Sequence, residues 1–136
     1  MACPFFLPLS WLERAAAGHA QRMPLGDLYE GVCQVRVEPF EPSASHQREI
    51  CNCGYARGRC DRFPPEGAAD AVRFSVTEDL PFRLRLVYVI EKDHAPARHG
   101  LLEYNVSVAR LETAGLDEIG LRQAEKFIES YLRRRR

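Results

Sequence analysis

The chain has 136 residues, 46% of them hydrophobic and 28% charged, with 19 basic residues against 19 acidic ones. That length supports one domain with a sizeable core, and the composition excludes a disordered chain. Balanced charge excludes a bulk attraction to nucleic acid or a membrane surface, and no apolar run reaches the roughly 20 residues of a bilayer-spanning helix.

The first nine residues are apolar but carry no preceding positive charge, are interrupted by Pro4 and Pro8, and are followed closely by Glu13 and Arg14. A secretory leader needs a charged start and an unbroken apolar stretch, so a cytoplasmic chain is expected. Ser10 to Gln21 carries a weak helical pattern, with Ser10 as a cap before Trp11 and Leu12. Val32 to Val37 places Cys33, Val35 and Val37 on one face, as an additional strand would. Periodicity is otherwise scarce before residue 70, where all five cysteines and seven of the nine prolines lie.

Beyond residue 70 the pattern is regular. Val72, Phe74 and Val76 alternate with Arg73 and Ser75, the signature of a half-buried strand. Phe82, Leu84, Leu86, Tyr88 and Ile90 form one face of a second strand, and Val87 and Val89 make its end apolar on both faces, which predicts a central position. The next segment, Glu91 to Gly100, reads as a polar hairpin loop punctuated by Pro96 and Gly100. Leu102, Tyr104, Val106 and Val108 define a third strand, and the short connections predict an antiparallel meander. From about Leu116 to Arg133, the residues Leu116, Ile119, Ala124, Phe127, Ile128 and Tyr131 share one helical face. Asp117 and Glu118 at its start and arginines at its end suit the helix dipole, and Glu118–Arg122 and Glu129–Arg133 have the spacing of ion pairs.

These elements predict an α+β fold: a three- or four-stranded antiparallel sheet with the C-terminal helix packed on one face. Residues 1–70 would form an irregular cysteine-bearing half, and residues 71–136 the sheet and helix of the same single domain.

The chemistry-bearing residues concentrate in the irregular half. Cys51-Asn-Cys-Gly-Tyr-Ala-Arg-Gly-Arg-Cys60 holds three thiols within ten residues, and Cys3 and Cys33 complete an odd set of five. An odd count in a reducing compartment points to metal binding rather than a closed set of disulfides. Gly54 and Gly58 permit the left-handed backbone that a loop around a metal needs. Arg57, Arg59 and Arg62 are expected to offset thiolate charge and lower the thiol pKa values. Four thiolates suit a tetrahedral zinc ion, or a [4Fe-4S] cluster with one thiolate per iron. Paired Cys-x(2–4)-Cys knuckles are absent, the ligands are widely spaced, and Phe5, Phe6, Phe40, Tyr55 and Phe63 lie near them in sequence. This favours the cluster, held by Cys3, Cys33, Cys51 and Cys60, with Cys53 as the rival of Cys51; zinc is the alternative. A structural or electron-transfer role follows for the cluster, with a redox or protein partner. For zinc the role would be an adaptor binding protein or nucleic acid.

Other chemistry is weaker. His94, His99 and Asp93 could serve acid–base or ligand roles, but a plain hairpin loop accounts for them. Thiol exchange at Cys51 and Cys53 lacks the Cys-x-x-Cys spacing of redox enzymes. Tyr55, Arg57, Arg59, Arg62, Phe63 and the run Arg133 to Arg136 have the chemistry of single-strand binding without a recognition module. No acid–base or nucleophile set stands out, so a non-enzymatic protein is expected.

Overall fold

In the computed structural model, residues 2–12, 24–67, 69–113 and 115–135 are described. The alternating half of the sequence builds a four-stranded antiparallel sheet from β3 (Ala71–Leu80), β4 (Arg83–Lys92), β5 (Ala95–Asn105) and β6 (Arg110–Thr113), in that spatial order. Two further strands, β1 (Phe6–Trp11) and β2 (Tyr29–Cys33), pair antiparallel as a separate sheet. Between the sheets in sequence, α1 (Ala44–His46) runs directly into a π-helical turn, Gln47–Cys51. The chain ends in α2 (Glu118–Arg135). Two antiparallel sheets with a C-terminal helix make the fold α+β.

β4 lies between β3 and β5, as its two apolar faces predicted. Leu84, Leu86 and Tyr88 are buried on one face, while Val89 and Glu91 are covered on the other. Phe82 was expected on the buried face, but it sits in the β3–β4 turn and is 72% exposed. The expected loop from Glu91 to Gly100 is in fact mostly strand. Asp93 and His94, with φ of 52° and 63°, make a two-residue turn whose left-handed residues match the twist of a hairpin. Pro96 is tolerated because β6 pairs only with residues 102–105 of β5, leaving Pro96 on an unpaired stretch of edge beside a register shift. At the other end β5 stops at Asn105, whose side chain accepts the Ser107 N–H, and Val108 is exposed in the turn to β6.

Two expectations about the first half are corrected. The strand expected at Val32–Val37 ends at Cys33 and pairs with β1 rather than extending the larger sheet; the Cys33–Phe40 bridge closes a loop in which Val37 is wholly exposed. Ser10 and Trp11 belong to β1, not to a helix, and the remainder of the helix expected to Gln21 lies outside the described residues beyond Leu12. β1 itself was hidden by its proline: Pro8 sits beside a register shift, where the missing N–H costs no ladder bond.

The helix α2 begins where expected. Asp117 accepts the Gly120 N–H at 2.8 Å through its side chain and the Leu121 N–H at 2.9 Å through its carbonyl. Ala124 and Ile128 enter the same core as Phe6, Leu84, Leu86 and Leu102, and Phe127 packs against Phe74 at 5.6 Å between ring centroids. The ion pairs differ from expectation. Arg122 faces Glu125 and Lys126 faces Glu129, while Arg133 is drawn off the helix to Asp27 at 2.7 Å. Arg133 also donates to Tyr29 Oη and lies over the Trp11 ring, where a partly buried guanidinium gains more than from an exposed partner on its own helix. Among the described residues no helix is long and apolar enough to cross a membrane.

Candidate metal centre

Three buried amide side chains decide where the cysteine-bearing segments lie. Asn52 accepts the Tyr29 N–H at 3.0 Å and donates to the Tyr29 carbonyl at 2.9 Å, and Gln47 accepts the Gly31 N–H at 2.9 Å. Together they occupy the free edge of β2 in place of a neighbouring strand, satisfying backbone groups that burial would otherwise leave orphaned. The π-helical turn is thereby fixed beside β2, and π-turns recur at functional sites because they re-aim side chains. Gln123 of α2 donates to the carbonyls of Cys3 and Phe6, each at 2.8 Å, which anchors the N-terminal segment. Ala2 exchanges two hydrogen bonds with Val72 at the edge of β3, and Cys3 N–H donates to the Cys51 carbonyl at 3.0 Å.

As a result Cys3, Cys33, Cys51 and Cys60 line one cavity, although they come from four separate places in the chain. Cys3 follows the Ala2 bridge, Cys33 ends β2, Cys51 ends the π-helical turn, and Cys60 lies in the turn that follows. The cavity is small and partly open to solvent, and Phe5, Phe40, Ile50 and Phe63 give it an apolar wall. All five cysteines are free thiols. Among the described residues, no three His, Cys, Asp or Glu side chains are grouped so as to hold a single ion.

Cys53 lies outside the cavity, and its thiol donates to the Arg48 carbonyl at 3.4 Å. On an extended segment residues 51 and 53 would point the same way, which is what makes them rivals. The helical turn instead turns them apart. Gly54 and Gly58 do take left-handed backbone, each with φ of 80°.

Burial dominates the thiol chemistry. Cys3 is pushed up to about 12 by loss of solvent, with Cys33 and Cys60 adding to the rise and hydrogen bonds from the Phe5 and Phe6 backbone opposing it. Cys51 is pushed up to about 12 by the same loss of solvent, reinforced by Cys3, Cys33 and Cys60. The expectation that nearby arginines would lower these values is therefore reversed. Arg57 is committed to Asp70 at 2.8 Å, Arg59 reaches the Glu49 carbonyl, and Arg62 lies flat over Phe40 at 3.5 Å from the ring centroid. Of the three, only Arg62 lines the cavity.

No family model matches the chain, and neither a curated protein nor a solved structure matches it.

The structure adds one residue that the sequence reading passed over. His46 also lines the cavity, with Nε2 3.3 Å from Cys60 Sγ. No strong sequence signal marks it, since it follows two serines and a proline in an aperiodic stretch. The histidines weighed earlier lie elsewhere. His94 stacks on Tyr55 at 4.2 Å in the β4–β5 turn, Asp93 N–H donates to Asp70, and His99 is exposed on β5.

Proposed function

We propose that this chain is a cysteine-ligated metalloprotein that binds a [4Fe-4S] cluster through Cys3, Cys33, Cys51 and Cys60. The observation that carries the proposal is that these four thiols, up to 57 positions apart in sequence, line one apolar-walled cavity. The donor set fits, because a [4Fe-4S] cluster takes one thiolate per iron. Such a cluster supplies one-electron transfer or a structural cross-link when bound. The chain's own contribution is threefold. Gln47, Asn52 and Gln123 hold the ligand-bearing segments in register, Phe5, Phe40 and Phe63 wall the cavity, and the backbone at Phe5 and Phe6 favours the ionised Cys3 sulfur. Burial and hydrogen bonds to sulfur are the two levers by which a protein sets a cluster's potential.

Ligation requires the thiolate form, so loading a site whose buried thiols are protonated when empty should release protons. Spectra of protein prepared without oxygen test the proposal. A brown protein whose visible absorption bleaches with dithionite is expected, and a colourless one would refute the cluster.

A second reading, a zinc-stabilised adaptor, is favoured by one contact. Zinc–sulfur and zinc–nitrogen bonds of about 2.3 and 2.1 Å at a tetrahedral angle put the two donors about 3.6 Å apart. His46 Nε2 and Cys60 Sγ stand 3.3 Å apart, near that separation. Zinc protein would be colourless and would hold one ion per chain.

A further inference from the structure

We propose that His46 is a positioning residue of the cluster site, donating its Nε2–H to the Cys60 sulfur and raising the cluster's reduction potential. The inference rests on the cluster reading above and concerns a residue that the four-cysteine ligand set does not need. Four thiols already supply one ligand to each iron, so a fifth donor in the same cavity is left for outer contacts.

His46 is placed by backbone contacts independent of the thiols. Ser43 Oγ accepts the His46 N–H at 3.2 Å, and His46 immediately precedes the π-helical turn that ends at Cys51. The imidazole is half-buried and lines the cavity wall, with Nε2 3.3 Å from Cys60 Sγ. A sulfur acceptor tolerates that length, and an imidazole Nε2 can carry the proton that is donated. With a ligated thiolate as acceptor, the bond becomes charge-assisted. It withdraws electron density from the sulfur and so favours the reduced cluster, which carries one more negative charge. In the reduction, one electron from an external low-potential donor such as dithionite enters the cluster. No covalent bond forms or breaks, and the imidazole keeps its proton. Arg62 closes the neighbouring wall over Phe40, so this side of the cavity is shielded while the Cys60 sulfur retains a donor.

The test compares full-length wild type, His46→Leu and His46→Gln, all prepared anaerobically, for iron content and for reduction potential by dithionite titration with mediator dyes. Leucine removes the donor at similar bulk, whereas glutamine retains an N–H. Equal iron in all three is expected, with a shift to lower potential in His46→Leu that His46→Gln largely restores. A merely structural role would change stability without moving the potential in this pattern. An unchanged potential in His46→Leu overturns the inference. So does loss of iron in His46→Leu accompanied by iron retention in Cys60→Ser, which would make His46 the ligand instead. Wild type without iron overturns the cluster reading itself, and is separately visible because the inference concerns only the difference among iron-loaded variants.

Discussion

Asn52→Ala is the substitution that bears most directly on how the cavity is assembled. Asn52 is 1% exposed and makes three hydrogen bonds, accepting from Tyr29 N–H and donating to the carbonyls of Tyr29 and Gln47. The Gln47 carbonyl keeps a second partner, the Asn52 N–H at 2.9 Å, so truncation orphans two backbone groups of β2. A buried group left without a partner costs about 1–3 kcal/mol, so a loss of about 3 kcal/mol is expected if water recovers part of the deficit. Urea denaturation of metal-free protein measures it as a lower midpoint at unchanged slope. The exposed control Val37→Ser should stay within about 0.5 kcal/mol of wild type. A loss under about 1 kcal/mol in Asn52→Ala would show that the amide is not what fixes the π-helical turn against β2, and the stated origin of the cavity would fall.

Further outcomes follow from the same structure. Cys60→Ser and Cys51→Ser should lose bound metal, whereas Cys53→Ser, whose thiol lies outside the cavity, should retain it; metal analysis of the three variants decides the choice between Cys51 and Cys53. In metal-free protein, Cys3 and Cys51 rise from 9.0 to about 12 on folding, so their contribution to stability is full below pH 9 and is lost as pH climbs toward 12. Two such groups give a slope of at most about 2.7 kcal/mol per pH unit, measurable as a falling denaturation midpoint that Cys3→Ala should blunt. At the acid end, Asp70 is held low: burial opposes this, but the Asp93 N–H and Arg57 outweigh it. Its contribution is therefore present above the usual carboxylate range and fades as pH falls, and Asp70→Asn should flatten that part of the profile. Gly31→Ala would set a Cβ 2.0 Å from the Leu7 carbonyl oxygen, a backbone clash that no side-chain rotation relieves. A loss of roughly 3 kcal/mol or failure to fold is expected, and near-wild-type stability would contradict the β1–β2 register.

Elements whose burial alternates cleanly were legible in the sequence. β3, the centre of β4 and α2 follow from Val72–Val76, Leu84–Ile90 and the apolar face ending near Tyr131. What escaped has specific causes. β1 carries Pro8, which argues against a strand unless a register shift is known. The hairpin at Asp93 and His94 uses left-handed residues other than glycine, so the turn looked longer than it is. β6 is only four residues long, below any useful period. The cysteines were legible as a set because three fall within ten residues. The contacts that bring them together were not, because these are Gln47, Asn52 and Gln123 pairing with backbone far away, and amides carry no periodic signal. Thiol acidity was misjudged for a related reason: arginines near in sequence turned out to be engaged with Asp70, Glu49 and Phe40, leaving burial to prevail.

The most direct test of the central claim is the iron, acid-labile sulfide and zinc content of protein purified without oxygen. About four irons and four sulfides per chain are expected, as a [4Fe-4S] centre requires, with little zinc. Protein that folds normally with neither metal bound, and takes up none on reconstitution, would contradict the claim.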